Sequence, residues 1–139
     1  MKDPRMLTRR ATLALTFAAA VAGTLAAASA FAGTAHEAYT PAAFQQAQHA
    51  GKPILVEIHA SWCPVCAAQA PILGELLGTP KFKDMVVFRV DFDSQKDAVK
   101  RFGARSQSTL IVYKGMTEEG RSVGDTSKAS IEALLAKAI

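Results

Sequence analysis

Two cysteines three residues apart, the only two in the chain, set its chemistry: Trp62-Cys63-Pro64-Val65-Cys66. They follow directly on the apolar run Ile54-Leu55-Val56-Glu57-Ile58. That order reads as a strand feeding a helix that opens at Cys63. The positive end of a helix stabilises a thiolate at its start, and a cysteine one turn further on can close a disulfide with it. The pattern points to thiol–disulfide exchange. A purely structural disulfide is a weak reading, because a loop this short constrains almost nothing and the stabilisation grows with loop length. A zinc site asks for more ligands, and there is neither a second Cys-x-x-Cys nor a His-x-x-x-His. A metal-binding or metallochaperone module using the same cysteine pair stands as the alternative to redox chemistry.

Other residues gather around this motif in sequence. Trp62, beside a cysteine in a turn, suits shielding of the disulfide and contact with a partner. Glu57 interrupts an otherwise apolar strand. Burial raises a carboxylate's pKa, which lets it take and return a proton near neutral pH; the competing reading is a strand-end side chain facing solvent. His59, four residues before Cys63, reads as a packed neighbour of the site. His36 and His49 read as surface residues, and Arg89, Lys100, Arg101 and Arg105 as solvated charges. Met116 sits in an expected turn.

The elements that position the motif are legible from caps and hydrophobic runs. Thr40-Pro41 is an N-cap and first-turn proline opening a helix to His49 or Ala50, stopped by Gly51-Lys52-Pro53. Residues 54–59 form a central buried strand. A helix is expected from about Cys63 to Leu77, with Pro64 in its first turn, a kink at Pro71 and a stop at Gly78-Thr79-Pro80. Residues 85–92 form a second strand, 97–102 a short helix closed by Gly103, and 109–114 a third strand. The segment 115–120 reads as a turn, with a weak fourth strand at 121–123. Thr126 or Ser127 caps a last amphipathic helix carrying Ile131, Leu134, Leu135 and Ala138. The order βαβαββα predicts an α/β layer with a mixed sheet.

The first 32 residues are expected to lie outside this fold. Lys2, Arg5, Arg9 and Arg10 precede an Ala-rich apolar stretch, then the small-x-small sites Ala28-Ser29-Ala30 and Ala30-Phe31-Ala32. This is the order of a secretory signal peptide. An uncleaved leader would instead anchor the domain to a membrane. Thr8-Arg9-Arg10-Ala11-Thr12-Leu13 resembles a twin-arginine export signal without its usual Phe and Lys. The expected location is the bacterial periplasm, where disulfides persist. Although the whole chain has a pI near 9.3, residues 33–139 hold 12 Lys+Arg and 11 Asp+Glu. That balance carries no electrostatic footprint for nucleic acid. One small domain, 33–139, is expected behind a 1–32 signal peptide.

Across residues 33–139 the chain resembles the thioredoxin family. Residues 54–66 look like its active-site strand and turn. Phe102-Gly103-Ala104-Arg105 followed by Thr109-Leu110-Ile111-Val112-Tyr113-Lys114-Gly115 looks like its second block, and Val123-Gly124 like the strand end before the last helix. The resemblance implies a thioredoxin fold, a central mixed sheet flanked by helices. It also implies dithiol–disulfide exchange with protein thiols and disulfides, and no organic cofactor or resident metal. Cys63 would be the exposed nucleophile, Cys66 the buried resolving thiol, and Glu57 the proton carrier for Cys66. Trp62, Pro64, Ser108 and Thr109 would face the substrate. A periplasmic or membrane redox partner would reset the pair, and the protein would act as a monomer. Two residues depart from the family pattern. Glu57 stands where thioredoxins usually carry Asp. Ser108 stands where the family carries a cis-proline, which also helps keep metals from the cysteines. A cis bond before serine costs about 3–4 kcal/mol, so the Gln107–Ser108 bond is expected to be trans.

Overall fold

The computed structural model describes residues 36–139; the leader and its cleavage sites lie outside them. The elements run β1 (His36–Ala38), α1 (Pro41–His49), β2 (Pro53–His59), α2 (Pro64–Leu77), a 3-10 turn (Pro80–Phe82), β3 (Val86–Asp91), α3 (Lys96–Arg101), β4 (Thr109–Lys114), β5 (Thr117–Val123) and α4 (Lys128–Ala136). The five strands form one sheet in the order β1-β3-β2-β4-β5. The β1/β3 and β2/β3 pairs are parallel, while β2/β4 and β4/β5 are antiparallel.

Strand β2 lies at the centre and is covered on both faces, which explains its nearly continuous apolar sequence. Strand alternation sends Ile54, Val56 and Ile58 to one side, against Phe44 and Ala47 of α1 and Ala98 and Val99 of α3. Leu55 turns to the other side with Val87, Leu110 and Val112, against Leu73, Leu76 and Leu77 of α2 and Ile131, Leu134 and Leu135 of α4. Phe44 is the aromatic hinge of the first layer, with edge contacts to Phe88, Phe102 and Tyr113 at centroid distances of 5.8, 5.2 and 5.3 Å.

Helix starts follow the capping logic. Thr40 Oγ1 accepts the Ala43 N–H at 3.2 Å, with Pro41 in the first turn. Ser127 caps α4 in the same way. The sequence reading needs correction at three places. Strand β5 begins at Thr117, so the turn shrinks to Gly115-Met116, where Gly115 takes φ +55°. Most of β5 is exposed edge carrying Glu118, Glu119 and Arg121, so it lacks the apolar alternation that marks a strand. The short strand β1 and the 3-10 turn were not anticipated; at three residues each, they are too short to show a period.

Candidate active site

The end of β2 aims the chain at the site. Ala60-Ser61-Trp62 turns it, with Cys63 N–H donating to Ala60 O at 3.2 Å. Cys63 is the N-cap of α2, and its sulfur accepts the Cys66 N–H at 3.2 Å. Helix capping and a thiolate acceptor are thus one interaction. A free helix N–H and the positive end of the peptide dipoles point at Sγ. Both cysteines are free thiols here.

The two sulfurs are not equivalent. Burial alone pushes the Cys63 thiol up, but hydrogen bonds from the Cys66 thiol and from the Cys66 and Val65 N–H groups, with the Ser108 hydroxyl close by, outweigh it, so its pKa falls below the ordinary value. Cys66 moves up, because it is desolvated and because its proton is held on the neighbouring sulfur. This asymmetry makes Cys63 the better thiolate and Cys66 the reserve thiol. One expectation is corrected. Cys63 is not exposed: it is 3 % accessible, packed in a small cluster with Ala60 and Cys66 and flanked by Val65 and Phe92. The N-cap position tucks the sulfur over the first turn of α2.

Trp62 is exposed, with its indole Nε1 donating to Asp93 Oδ2 at 2.7 Å. Pro64 is exposed next to it. The Gln107–Ser108 bond is trans, and Ser108 is the one non-glycine residue with positive φ among the described residues, at +54°. Ser108 is buried beside both sulfurs, its N–H toward Cys66 and its hydroxyl toward Cys63. The hydroxyl has a single proton, and at 2.6 Å it gives that proton to Gln107 O. Thr109 does not face a partner: it is 1 % accessible and its hydroxyl donates to Ser106 O at 2.8 Å, which shapes the loop from inside.

Glu57 is buried as expected, on the sheet face shared with Leu55 and α2, but its titration runs the other way. Burial raises the carboxyl, yet the His36 hydrogen bond and the Arg89 charge together hold it below its ordinary value. His36 Nδ1 lies 2.9 Å and Arg89 Nε 3.1 Å from the same oxygen, Oε2. Arg89 is therefore an ion-pair partner and His36 a hydrogen-bond partner of Glu57, and neither is a free surface group. Register explains this: Arg89 pairs with Glu57 across β2/β3, and His36 pairs with Val87, two residues back on the same face of β3. The other oxygen, Oε1, is buried without a hydrogen-bond partner. His59 stands opposite Asp91 in the register, half-buried, and among the described residues no cluster of three or more His, Cys, Asp or Glu side chains could hold a metal.

Sequence reasoning missed Gln69. It is fully buried on α2, and its amide donates to the carbonyls of Ser108 and Asp125 at 3.3 and 2.8 Å. The signal was present: Cys66, Gln69, Leu73 and Leu76 follow helical spacing, so Gln69 is a polar residue on a buried stripe.

A sheet of this order with a Cys-x-x-Cys capping the helix after its central strand defines a dithiol–disulfide oxidoreductase fold. The thioredoxin family model matches residues 35–137. The chain is 36 % identical to the thioredoxin of Alicyclobacillus acidocaldarius, an alignment covering 70 % of this chain and 91 % of that protein. It is 33 % identical to the thioredoxin of Pseudomonas aeruginosa, over 69 % and 89 % respectively. Among solved structures, Trxlp from Edwardsiella tarda superposes with a TM-score of 0.71 at 44 % identity, covering 73 % of this chain and 98 % of that one. The chain belongs to the thioredoxin family and is a thiol–disulfide oxidoreductase.

Proposed function

We propose that this protein is an exported oxidoreductase of the bacterial periplasm that exchanges its Cys63–Cys66 dithiol or disulfide with protein substrates. The observation that carries the roles is the N-cap: Cys63 Sγ accepts the Cys66 N–H at 3.2 Å, so the helix end stabilises negative charge on Cys63 and not on Cys66. In the reducing direction, the Cys63 thiolate attacks a substrate disulfide. A Cys63–substrate mixed disulfide forms and one substrate sulfur leaves as thiolate. Cys66 then loses its proton and attacks Cys63 Sγ; the Cys63–Cys66 disulfide forms and the second substrate sulfur leaves. The oxidising direction is the same sequence reversed, and an external dithiol or disulfide partner resets the pair. Glu57, buried on the sheet face that α2 covers with its Oε1 unpartnered, is the carboxylate offered for the Cys66 proton through a water; its depressed pKa makes it a weak base, so it holds that proton only in passing.

The basic leader and its Ala-x-Ala sites support export. Trapping tests the assignment. Cys66→Ser should accumulate mixed disulfides with protein substrates, and Cys63→Ser should accumulate none. Faster alkylation of Cys66 than of Cys63 in the reduced protein would reverse the roles.

A further inference from the structure

Gln69 is the only fully buried carboxamide among the described residues. It lies on α2 one turn beyond Cys66, and it joins two segments that flank the cysteines. Its Nε2 donates to Ser108 O, in the loop before β4, and to Asp125 O, in the connection from β5 to α4. Ser108 O also receives the Gly124 N–H at 2.9 Å. These two donors are what hold the carbonyl of a serine in the left-handed region, a conformation that costs free energy and persists only where the surroundings over-determine it. Gln69 has its own cost: its Oε1 is buried and unpartnered. An apolar side chain of the same length would avoid that cost. The carboxamide supplies two donors in return, and both go to backbone carbonyls of the site loops.

We propose that Gln69 is a positioning residue that locks Ser108 in its left-handed turn against the cysteine pair and thereby sets the reactivity of Cys63. With the turn locked, the Ser108 N–H faces Cys66 and its hydroxyl stands beside Cys63. Rotation about the Ser108 Cβ–Oγ bond alone then moves the hydroxyl proton from Gln107 O to a Cys63 thiolate, with no movement of the backbone. A loop free to relax would lose that donor. The inference rests on Cys63 as the attacking thiol, which the Cys66→Ser trap tests separately.

The experiment measures the pH dependence of Cys63 alkylation in the reduced protein. Gln69→Met keeps the side-chain length and removes both donors. It should raise the midpoint by about 0.5–1 unit and slow alkylation at neutral pH about three- to tenfold, since one unit is a tenfold change in thiolate fraction. In a Ser108→Gly background the same substitution should barely move the midpoint, because glycine holds positive φ without strain and the hydroxyl is gone. A merely structural role would lower stability and leave the midpoint in place. A wild-type midpoint in folded Gln69→Met, or an equal shift in both backgrounds, overturns the proposal. Should Gln69→Met not fold, hydrogen exchange on the wild type decides. The Gln69 amide protons should be protected and should shift between the reduced and oxidised forms; a freely exchanging, redox-insensitive amide overturns it.

Discussion

At the scale of the residue, the site turns on three polar side chains placed where apolar ones would pack. Glu57 is ionised at neutral pH because His36 and Arg89 share its Oε2. Its folded pKa is depressed, so the stabilisation it contributes is present above the unfolded value of ~4.3 and is lost as pH falls through the folded one. Glu57→Gln should therefore flatten the acid limb of a stability–pH curve below about pH 4. At neutral pH it should lower stability by about 1–3 kcal/mol, the range for hydrogen bonds to a charged group, toward the low end because both partners reach water. This reverses the gain that burial alone would suggest. If Glu57 takes the Cys66 proton, the same variant should slow resolution of a mixed disulfide by about 100-fold, the low end for general bases; stopped-flow decay of the mixed disulfide measures it, and an unchanged rate removes Glu57 from the proton step. Ser108 gives a second contrast. Proline cannot adopt φ +54°. Ser108→Pro must rebuild the loop and release the Gln69 bond, at about 2–4 kcal/mol. Ser108→Gly should stay within about 1 kcal/mol of wild type, since relief of strain offsets the lost Oγ–Gln107 bond and the freer unfolded chain. Urea denaturation of the two variants checks the pair, and a Pro variant as stable as the Gly variant would place Ser108 in an unstrained loop.

At the scale of the element, α2 carries the chemistry because its first turn begins on the nucleophile. A cysteine is an unusual cap, and its sulfur is a weak acceptor when protonated. The helix end should therefore be better capped in the thiolate form, and this coupling favours the reduced protein. We expect a reduction potential above the ~−270 mV of thioredoxin and below the ~−120 mV of the strongest periplasmic oxidant, measured by equilibration with glutathione. A value below ~−270 mV would mean that the cap does not stabilise the thiolate. Helix α1 is held by an ordinary cap, and Thr40→Ala should cost about 1 kcal/mol in chemical denaturation without altering Cys63 alkylation. A change in that alkylation would reveal coupling from α1 to the site through Phe92, which packs on both the α1-side core and the cysteine cluster.

At the scale of the whole molecule, the sheet order brings three distant segments together around the first turns of α2: the end of β2 with the start of α2, the loop before β4 beside the sulfurs, and the link from β5 to α4 on Gln69. With residues 1–32 read as a signal peptide, the mature protein is expected to begin at Phe31 or Gly33, outside the inner membrane. N-terminal sequencing of protein from its native host checks this, and an intact leader would convert the reading to a membrane-tethered domain with the same chemistry.

The sequence by itself determined the parts whose physics is local. Helix starts were legible because Thr40-Pro41 and Ser127 satisfy orphan N–H groups within three residues, and strands β2, β3 and β4 because burial on both faces leaves nearly continuous apolar runs, broken in β2 by Glu57 and in β3 by Arg89. The redox pair was legible because its spacing matches one helical turn. Only the tertiary structure decided the rest, and in each case for a long-range reason. Register across β2/β3 set Arg89 on Glu57, and the β1/β3 pairing brought His36 to the same oxygen, reversing a titration that burial alone would have raised. Strand β5 depends on pairing with β4, since its own side chains are mostly charged and exposed. The left-handed Ser108 and the amide that holds it lie 39 residues apart in sequence, and no local pattern couples a helix position to a loop that the sheet alone brings beside it.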